Sequence, residues 1–462
     1  MNHPAGTVPV SGHYGTFPEQ QIFSRGACPI PGKNQFMADA YPIRPISEDE
    51  FKAFYTVIEH AFNSSYPTDE ELRYDLRVFE FDRSLAAFDK TEIVGTAASL
   101  SLQMTVPGGT AAVAGVTAVT TAPSHRRRGI LTSLMHRQLT DIRDRGESVA
   151  ALFASEAGIY GRYGYAPATA ELQLTIRRGE GVLSALAERA VAVGRAALRP
   201  RTAEPQDARA DLAKVFDRVL HDRPGMQVRD DRWWDQMLWD PDHRRSGGGP
   251  LRCVIAEDGE GPRGYALFSV RPEWDDGIPN GMLRVRELMA VDPVAYWAVW
   301  SYLLNRDLVG EVHAWSRPAD EPLCYLLADQ RRARPRLADG LWVRLVSVPG
   351  ALAMRRYSCP VDVVIEVADD LLPENAGRWR LRAPGPAADG GPAAAEPATC
   401  ERTTATADVT LPVQALGATY LGGVSLGALA AAGLVEASRP GSLTALSAAL
   451  SSELAPWSPT HY

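Results

Sequence analysis

The sequence is short of the features that mark nucleic-acid binders, membrane proteins and disulfide-framed secreted proteins. Five cysteines occur in 462 residues: Cys28, Cys253, Cys324, Cys359 and Cys400. They are scattered and form no C-x-x-C, so no disulfide frame or zinc knuckle is expected, and a reducing cytoplasm fits such usage. Positive charge is in deficit, with a net charge of −8. A dedicated DNA binder is basic, because phosphate neutralisation dominates its affinity, so no nucleic-acid partner is expected. Long apolar runs are also missing. The longest, "YLGGVSLGALAAAGLV" (Tyr420–Val435), is interrupted by glycines and is shorter than the roughly 20 apolar residues of a spanning helix, so no membrane partner is expected. The nine histidines show no H-E-x-x-H or similar spacing, so no metal is expected. The N-terminus has no basic region followed by an apolar core, so no signal peptide is expected.

What is present fits several globular domains, two to four for this length. Residues 1–36 are rich in Pro and Gly and lack periodicity; they are expected to be a disordered extension. "YPIRPI" then alternates like a strand. Ser47 and Glu50 form a capping-box signature ahead of apolar spacing at Phe51, Phe54, Ile58 and Phe62. Two long strands follow, joined at Pro107–Gly109 by a hairpin turn. Ile130, Leu131, Leu134, Met135, Leu139 and Ile142 fall on one helical face, and "VAALFAS" reads as a short buried strand. From about Gly179 a comparable order of helices, hairpin strands, strand and helix restarts. A third region opens near Asp339 and contains an Ala/Pro/Gly loop over Pro384–Thr399.

Between the second long strand and the next helix lies "APSHRRRGILTSL" (Ala122–Leu134). A strand, a turn of arginines and a glycine opening an amphipathic helix make an anion site. The first helical N–H groups have no intrahelical partner, and the dipole favours negative charge. Gly129 permits close approach to the backbone, and Arg126, Arg127 and Arg128 supply forked donors for a pyrophosphate. The same residues also suit a solvated charge run, and the pattern alone leaves the two readings level.

R-x-x-G between a strand and a helix resembles the coenzyme A loop of the GNAT acetyltransferases, with Leu131 standing where a small residue is usual. Over "VTAVTTAPSHRRRGILTSLMHRQL", "AALFASEAGIYGRYGYAPAT" and "DGLWVRLVSVPGAL" the chain resembles the Eis-type (enhanced intracellular survival) aminoglycoside N-acetyltransferases of actinobacteria. The resemblance implies an α/β (α+β) fold: two tandem GNAT-like domains, then a sterol-carrier-protein-like α+β domain. The corresponding boundaries are 37–178 for the catalytic domain, 179–334 for a degenerate one and 335–462 for the third. It implies acetyl-CoA as cosubstrate, a polycationic amine as partner and a homohexamer. The second unit has no arginine–glycine loop and is expected to bind no coenzyme A.

The resemblance also implies roles for single residues. Val119 and Thr121 would meet the pantetheine arm through exposed backbone, and Arg126, Arg127, Arg128, Gly129 and Ile130 would hold the pyrophosphate. Ser155 would sit at the thiol end, or simply cap the turn it precedes. "ASEAG" lacks the G-x-S-x-G frame, so Ser155 is not expected to be a nucleophile. Tyr160 would be the general acid, a role suited to a phenol protonated at neutral pH; Tyr163 and Tyr165 are expected to pack. The general base would be the terminal carboxylate, here on Tyr462, preceded by His461 in place of an acidic residue. Phe62 and Tyr66 are expected to bind substrate, and Asp69, Glu70 or Glu71 to pair with ammonium groups, although the segment also reads as a plain amphipathic helix with an acidic start. "WWDQMLWD" (Trp233–Asp240) reads as core or subunit interface rather than an aromatic cage. Protein lysine acetylation and lipid or sterol carriage by the third domain are the alternatives.

Overall fold

The computed structural model describes residues 41–192, 198–245, 247–385 and 397–462. The extension expected over residues 1–36 and residues 386–396 of the expected loop lie outside the described residues.

The first unit is built on the hairpin Glu92–Val106 and Gly109–Thr121, whose turn falls at Pro107–Gly108. Ser84–Asp89 and the short Ile43–Arg44 extend it on one side, and Val149–Phe153 lies parallel to it on the other. The capping box forms: the Ser47 amide donates to the Glu50 carboxylate (3.0 Å), and the helix Phe51–Phe62 buries Phe51, Phe54 and Ile58. The helix Ile130–Asp144 buries the apolar face expected of it, with Ile130, Leu134, Met135, Leu139 and Ile142 in the core.

A second seven-stranded sheet repeats this plan. Arg199–Ala203, Arg252–Asp258, Gly261–Arg271 and Gly281–Ala290 run in order, and Val309–Pro318 lies parallel to the last of them. A five-stranded sheet centred on Val361–Ala368 makes the third unit. The fold is therefore α/β (α+β), with two units of like plan followed by a third α+β unit, in the order that the resemblance implies.

The strands change sheets at other places than the boundaries 178/179 and 334/335. Ala170–Arg177 belongs to the second sheet, paired with Val309–Pro318 and Arg336–Asp339. Leu341–Leu345 returns to the first sheet, between Val149–Phe153 and Ala166–Pro167. All five residues of "LWVRL" are buried, as a strand covered on both faces must be. Sequence order carries no trace of that exchange. It also merges the interiors: Val149 and Val343 of the first sheet share one core with Val363, Leu381 and Tyr420 of the third unit.

Inside that third unit Arg355 is buried, with no carboxylate in ion-pair range among the described residues. It donates instead to the carbonyls of Tyr420 (2.5 Å) and Leu450 (2.7 Å), which end two helices. A cation at helix C-termini is favourable.

Candidate active site

The hairpin strand Gly109–Thr121 and its parallel neighbour pair only at Ala114–Ala150 and Gly115–Ala151, then diverge. A bulge follows at once. Ala118 turns to φ +55°, and Ala118 and Val119 drop out of the ladder with Glu92–Val106. Bulges of this kind re-aim backbone beside active sites. Val119 is thus presented to the cleft between the strands. Thr121 is still the ladder partner of Gly95, and what it leaves unpartnered is its buried hydroxyl.

The cleft leads to the arginine loop. Arg127 (φ +62°) and Gly129 (φ +81°) coil the backbone in left-handed conformations, and no side chain caps the helix that starts at Ile130. Among the described residues the amides of Arg126 to Ile130 have no backbone acceptor. Arg128 is tied to the Tyr41 hydroxyl (2.7 Å) and the Ser124 carbonyl (3.3 Å). Arg126 and Arg127 are exposed with no ion pair among the described residues. Free amides, a positive helix end and two uncommitted guanidiniums fit the pyrophosphate of coenzyme A.

The second unit closes the same features. Its strands Gly281–Ala290 and Val309–Pro318 pair as far as Val285 and then part. Asp292 caps the following helix, accepting from the amides of Val294 and Ala295 (both 2.9 Å), so a carboxylate already stands at that helix end. The gap between the strands is bridged by Arg317, which donates to the Leu288 carbonyl (3.0 Å). The C-terminal segment lies along it: Trp457 Nε1 donates to the Ser316 carbonyl (3.0 Å), and His461 Nε2 is 3.3 Å from the Ser316 hydroxyl.

That segment ends in the first unit's cleft. Thr460 is fully buried and takes two hydrogen bonds from Arg229 (3.1 and 2.8 Å). His461 stacks on Phe153 at 4.0 Å, and the Tyr462 ring packs edge-on to both Phe153 and Trp233. A Cβ on Gly115, at the point where the strands diverge, would lie 3.0 Å from the Tyr462 ring.

A cavity of about 470 Å³ opens here, bounded by Val119, Ser155, Tyr160, His461 and Tyr462 on one side and Phe62 on another. Tyr160 is buried. Desolvation raises the pKa of its hydroxyl, and a hydrogen bond with Ser155 works in the opposite direction. The loop that carries Tyr160 is held by the third unit and by the strand Leu341–Leu345. Gln414 donates to the Gly161 carbonyl (2.9 Å), and Arg344, paired with Asp369 (2.7 Å), lies against Gly164. Tyr163 and Tyr165 are buried in the core behind it.

Two expectations fail. Tyr66 is 70% exposed and does not reach the cavity; it sits in the link between two helices, where no packing draws it inward. The acidic run is spent on structure: Glu71 closes a capping box with Thr68 and pairs with Arg244 and His243, while Asp69 pairs with Lys52 on the surface. The carboxylate that does line the cavity is Asp75. Burial raises its pKa to about 6, against the opposing pull of Arg244. Its sequence signal was its position three residues after buried Leu72, on the inward face of a short helix. "WWDQMLWD" divides: Trp234 is core, but Trp233 and Trp239 line the cavity, the latter stacked on Tyr74 at 4.3 Å. Arg244 and Arg286 complete the wall contributed by the second unit. No described helix is long and apolar enough to cross a membrane.

Comparison with known proteins agrees with this architecture. Residues 42–168 and 225–345 each match an acetyltransferase (GNAT) domain family, and residues 348–459 match a sterol carrier protein domain family. An uncharacterized N-acetyltransferase of Streptomyces avermitilis is 42% identical over 419 residues, covering 90% of this chain and 98% of its own. The N-acetyltransferase Eis of Mycobacterium tuberculosis is 34% identical over 376 residues, 79% of this chain and 84% of its own. The crystal structure of Eis1 from Mycobacterium abscessus superposes with a TM-score of 0.72 at 32% identity, covering 91% of this chain and all of that one.

Proposed function

The chain belongs to the Eis family of N-acetyltransferases, and we propose that it acetylates a primary amine of a small molecule held between its tandem domains, multi-amine compounds such as aminoglycosides included. The observation that carries this reading is convergence. The opened strands, Tyr160 and Tyr462 come from separate segments and meet around one cavity, and the strand that lines it at residues 116–119 runs on into the arginine loop. Acetyl-CoA supplies the activated thioester when bound. Val119 and Thr121 receive its arm, Arg126, Arg127, Gly129 and Ile130 face its pyrophosphate, and Arg128 braces the loop.

Tyr160 acts as the acid. Its raised pKa keeps the hydroxyl protonated throughout the neutral range, and it gives that proton to the sulfur as the C–S bond breaks. The α-carboxylate of Tyr462, the last residue of the sequence, acts as the base: it is ionised near neutrality and takes the ammonium proton through water as the C–N bond forms. Phe62 and Trp233 offer apolar surface to the substrate's body, and Asp75 offers a carboxylate to an ammonium group.

With kanamycin as the amine, thiol release dependent on acetyl-CoA is expected. A short Gly-Ser extension after Tyr462 should lower kcat by at least about tenfold at an unchanged melting temperature. Full turnover by the extended chain removes the carboxylate from the mechanism; turnover of simpler amines but not kanamycin removes aminoglycosides.

We also propose a homohexamer. Supporting it are exposed apolar side chains on the second unit, Trp274 and Ile278 on a small two-stranded ribbon and Trp315 on the sheet. Light scattering in solution should return six times the chain mass, and a monomer mass would exclude it.

A further inference from the structure

Two guanidiniums, Arg244 and Arg286, line the cavity, against the side-chain carboxylate of Asp75 and the α-carboxylate proposed as the base on Tyr462. A site shaped only for polycations would carry an excess of carboxylates, since each ammonium brought near an arginine is repelled. The two arginines differ. Arg244 is balanced by Glu71 (3.1 Å) and lies over the Trp239 ring (4.5 Å). Arg286 has no carboxylate within ion-pair distance among the described residues. Among the described residues its Nη1 alone is engaged, with the carbonyls of Met237 (3.2 Å) and Trp239 (3.3 Å), leaving Nε and Nη2 without an acceptor.

Backbone geometry explains how Arg286 comes to face the cavity. The ladder between Gly261–Arg271 and Gly281–Ala290 runs Leu267–Glu287, then Phe268–Val285, so Arg286 is the extra residue of a β-bulge. The bulge sends Glu287 into the core to meet Arg229 and turns Arg286 the other way. Arg286 keeps surface open to the cavity, where an oxyanion can reach it.

We propose that the preferred substrate is an amine that also carries a carboxylate or similar oxyanion, bound by Arg286, with an aromatic or apolar body against Phe62 and Trp233. This rests on the amine acetyltransferase reading of the same cavity. A planar guanidinium with two free donors suits a bidentate oxyanion, and an aromatic wall suits a flat ring. Arg286, standing apart from the reacting atoms, sets specificity.

The test compares 4-(2-aminoethyl)benzoate with 2-phenylethylamine, which share an amine and a ring and differ in the carboxylate. The wild-type kcat/KM ratio should favour the carboxylated amine by roughly tenfold, the effect of one charge-assisted contact. Calorimetric Kd values measured with coenzyme A present should show the same ratio. In Arg286→Gln both ratios should fall to about one. The carboxylated amine should also outperform kanamycin in the wild type. A wild-type ratio near one, a ratio that survives in Arg286→Gln, or no measurable binding of the carboxylated amine overturns the proposal. An equal loss for both amines with a lowered melting temperature also overturns it and makes Arg286 a helix cap only. The Kd ratio with no thiol release from any amine would instead remove the acetyl-transfer reading and leave the oxyanion contact standing.

Discussion

Tyr160→Phe is expected to lower kcat by about 10²–10⁴-fold, the usual worth of a positioned general acid. KM for acetyl-CoA should stay near the wild-type value, because the opened strands and the arginine loop are built from other residues. The substitution removes one oxygen from a buried ring whose hydroxyl meets Ser155, so the fold should lose little, which thermal unfolding can confirm. The pH profile supplies an independent readout. Desolvation lifts this phenol's pKa above its usual value, so the wild-type rate should not decline on the alkaline side until the pH passes the ordinary tyrosine range. If kcat for the phenylalanine variant, followed by thiol release, matches the wild type, the proton comes from elsewhere.

Tyr160 also shows what the sequence could and could not carry. Its local motif, the arginine loop, the hairpin and the capping box at Ser47 were all readable, because each depends on residues a few positions apart. The arrangement that makes a site of them was not. Trp233 and Trp239 looked like core because helical spacing is the same for a core face and a cavity wall. Asp75 was overlooked beside the more conspicuous acidic run before it, whose members cap a helix and bind surface cations. Arg286 owes its orientation to a bulge, and a bulge depends on the register of a neighbouring strand. The exchange of Ala170–Arg177 and Leu341–Leu345 between sheets likewise rests on pairings far apart in sequence. Through that exchange Arg344, on a strand of the first sheet and paired with Asp369 of the third unit, reaches the loop after Tyr160, so the link between the two units braces the acid.

Arg229→Met is the substitution expected to cost most in stability. Arg229 and Glu287 form a bidentate pair at 3.0 and 2.5 Å, with side chains 0% and 1% exposed. Burial works against the arginine's charge, but Glu287 outweighs it and holds the pKa above its usual value. Removing one partner strands a buried carboxylate, at a cost of about 3–5 kcal/mol. Denaturant unfolding should show that loss as a lower midpoint. Replacing both partners, in Arg229→Met with Glu287→Met, should recover much of it, since an apolar pair of similar size needs no desolvation of charge. Turnover should not recover with it. Arg229 is also the donor to Thr460, two residues before the proposed base, and no methionine can replace those hydrogen bonds. The double variant should therefore unfold near the wild-type midpoint, keep its KM for acetyl-CoA and remain slow in acetylating amines. If stability and turnover return together, the buried pair serves the core alone, and the C-terminal segment is held in the cleft by Trp457 and His461.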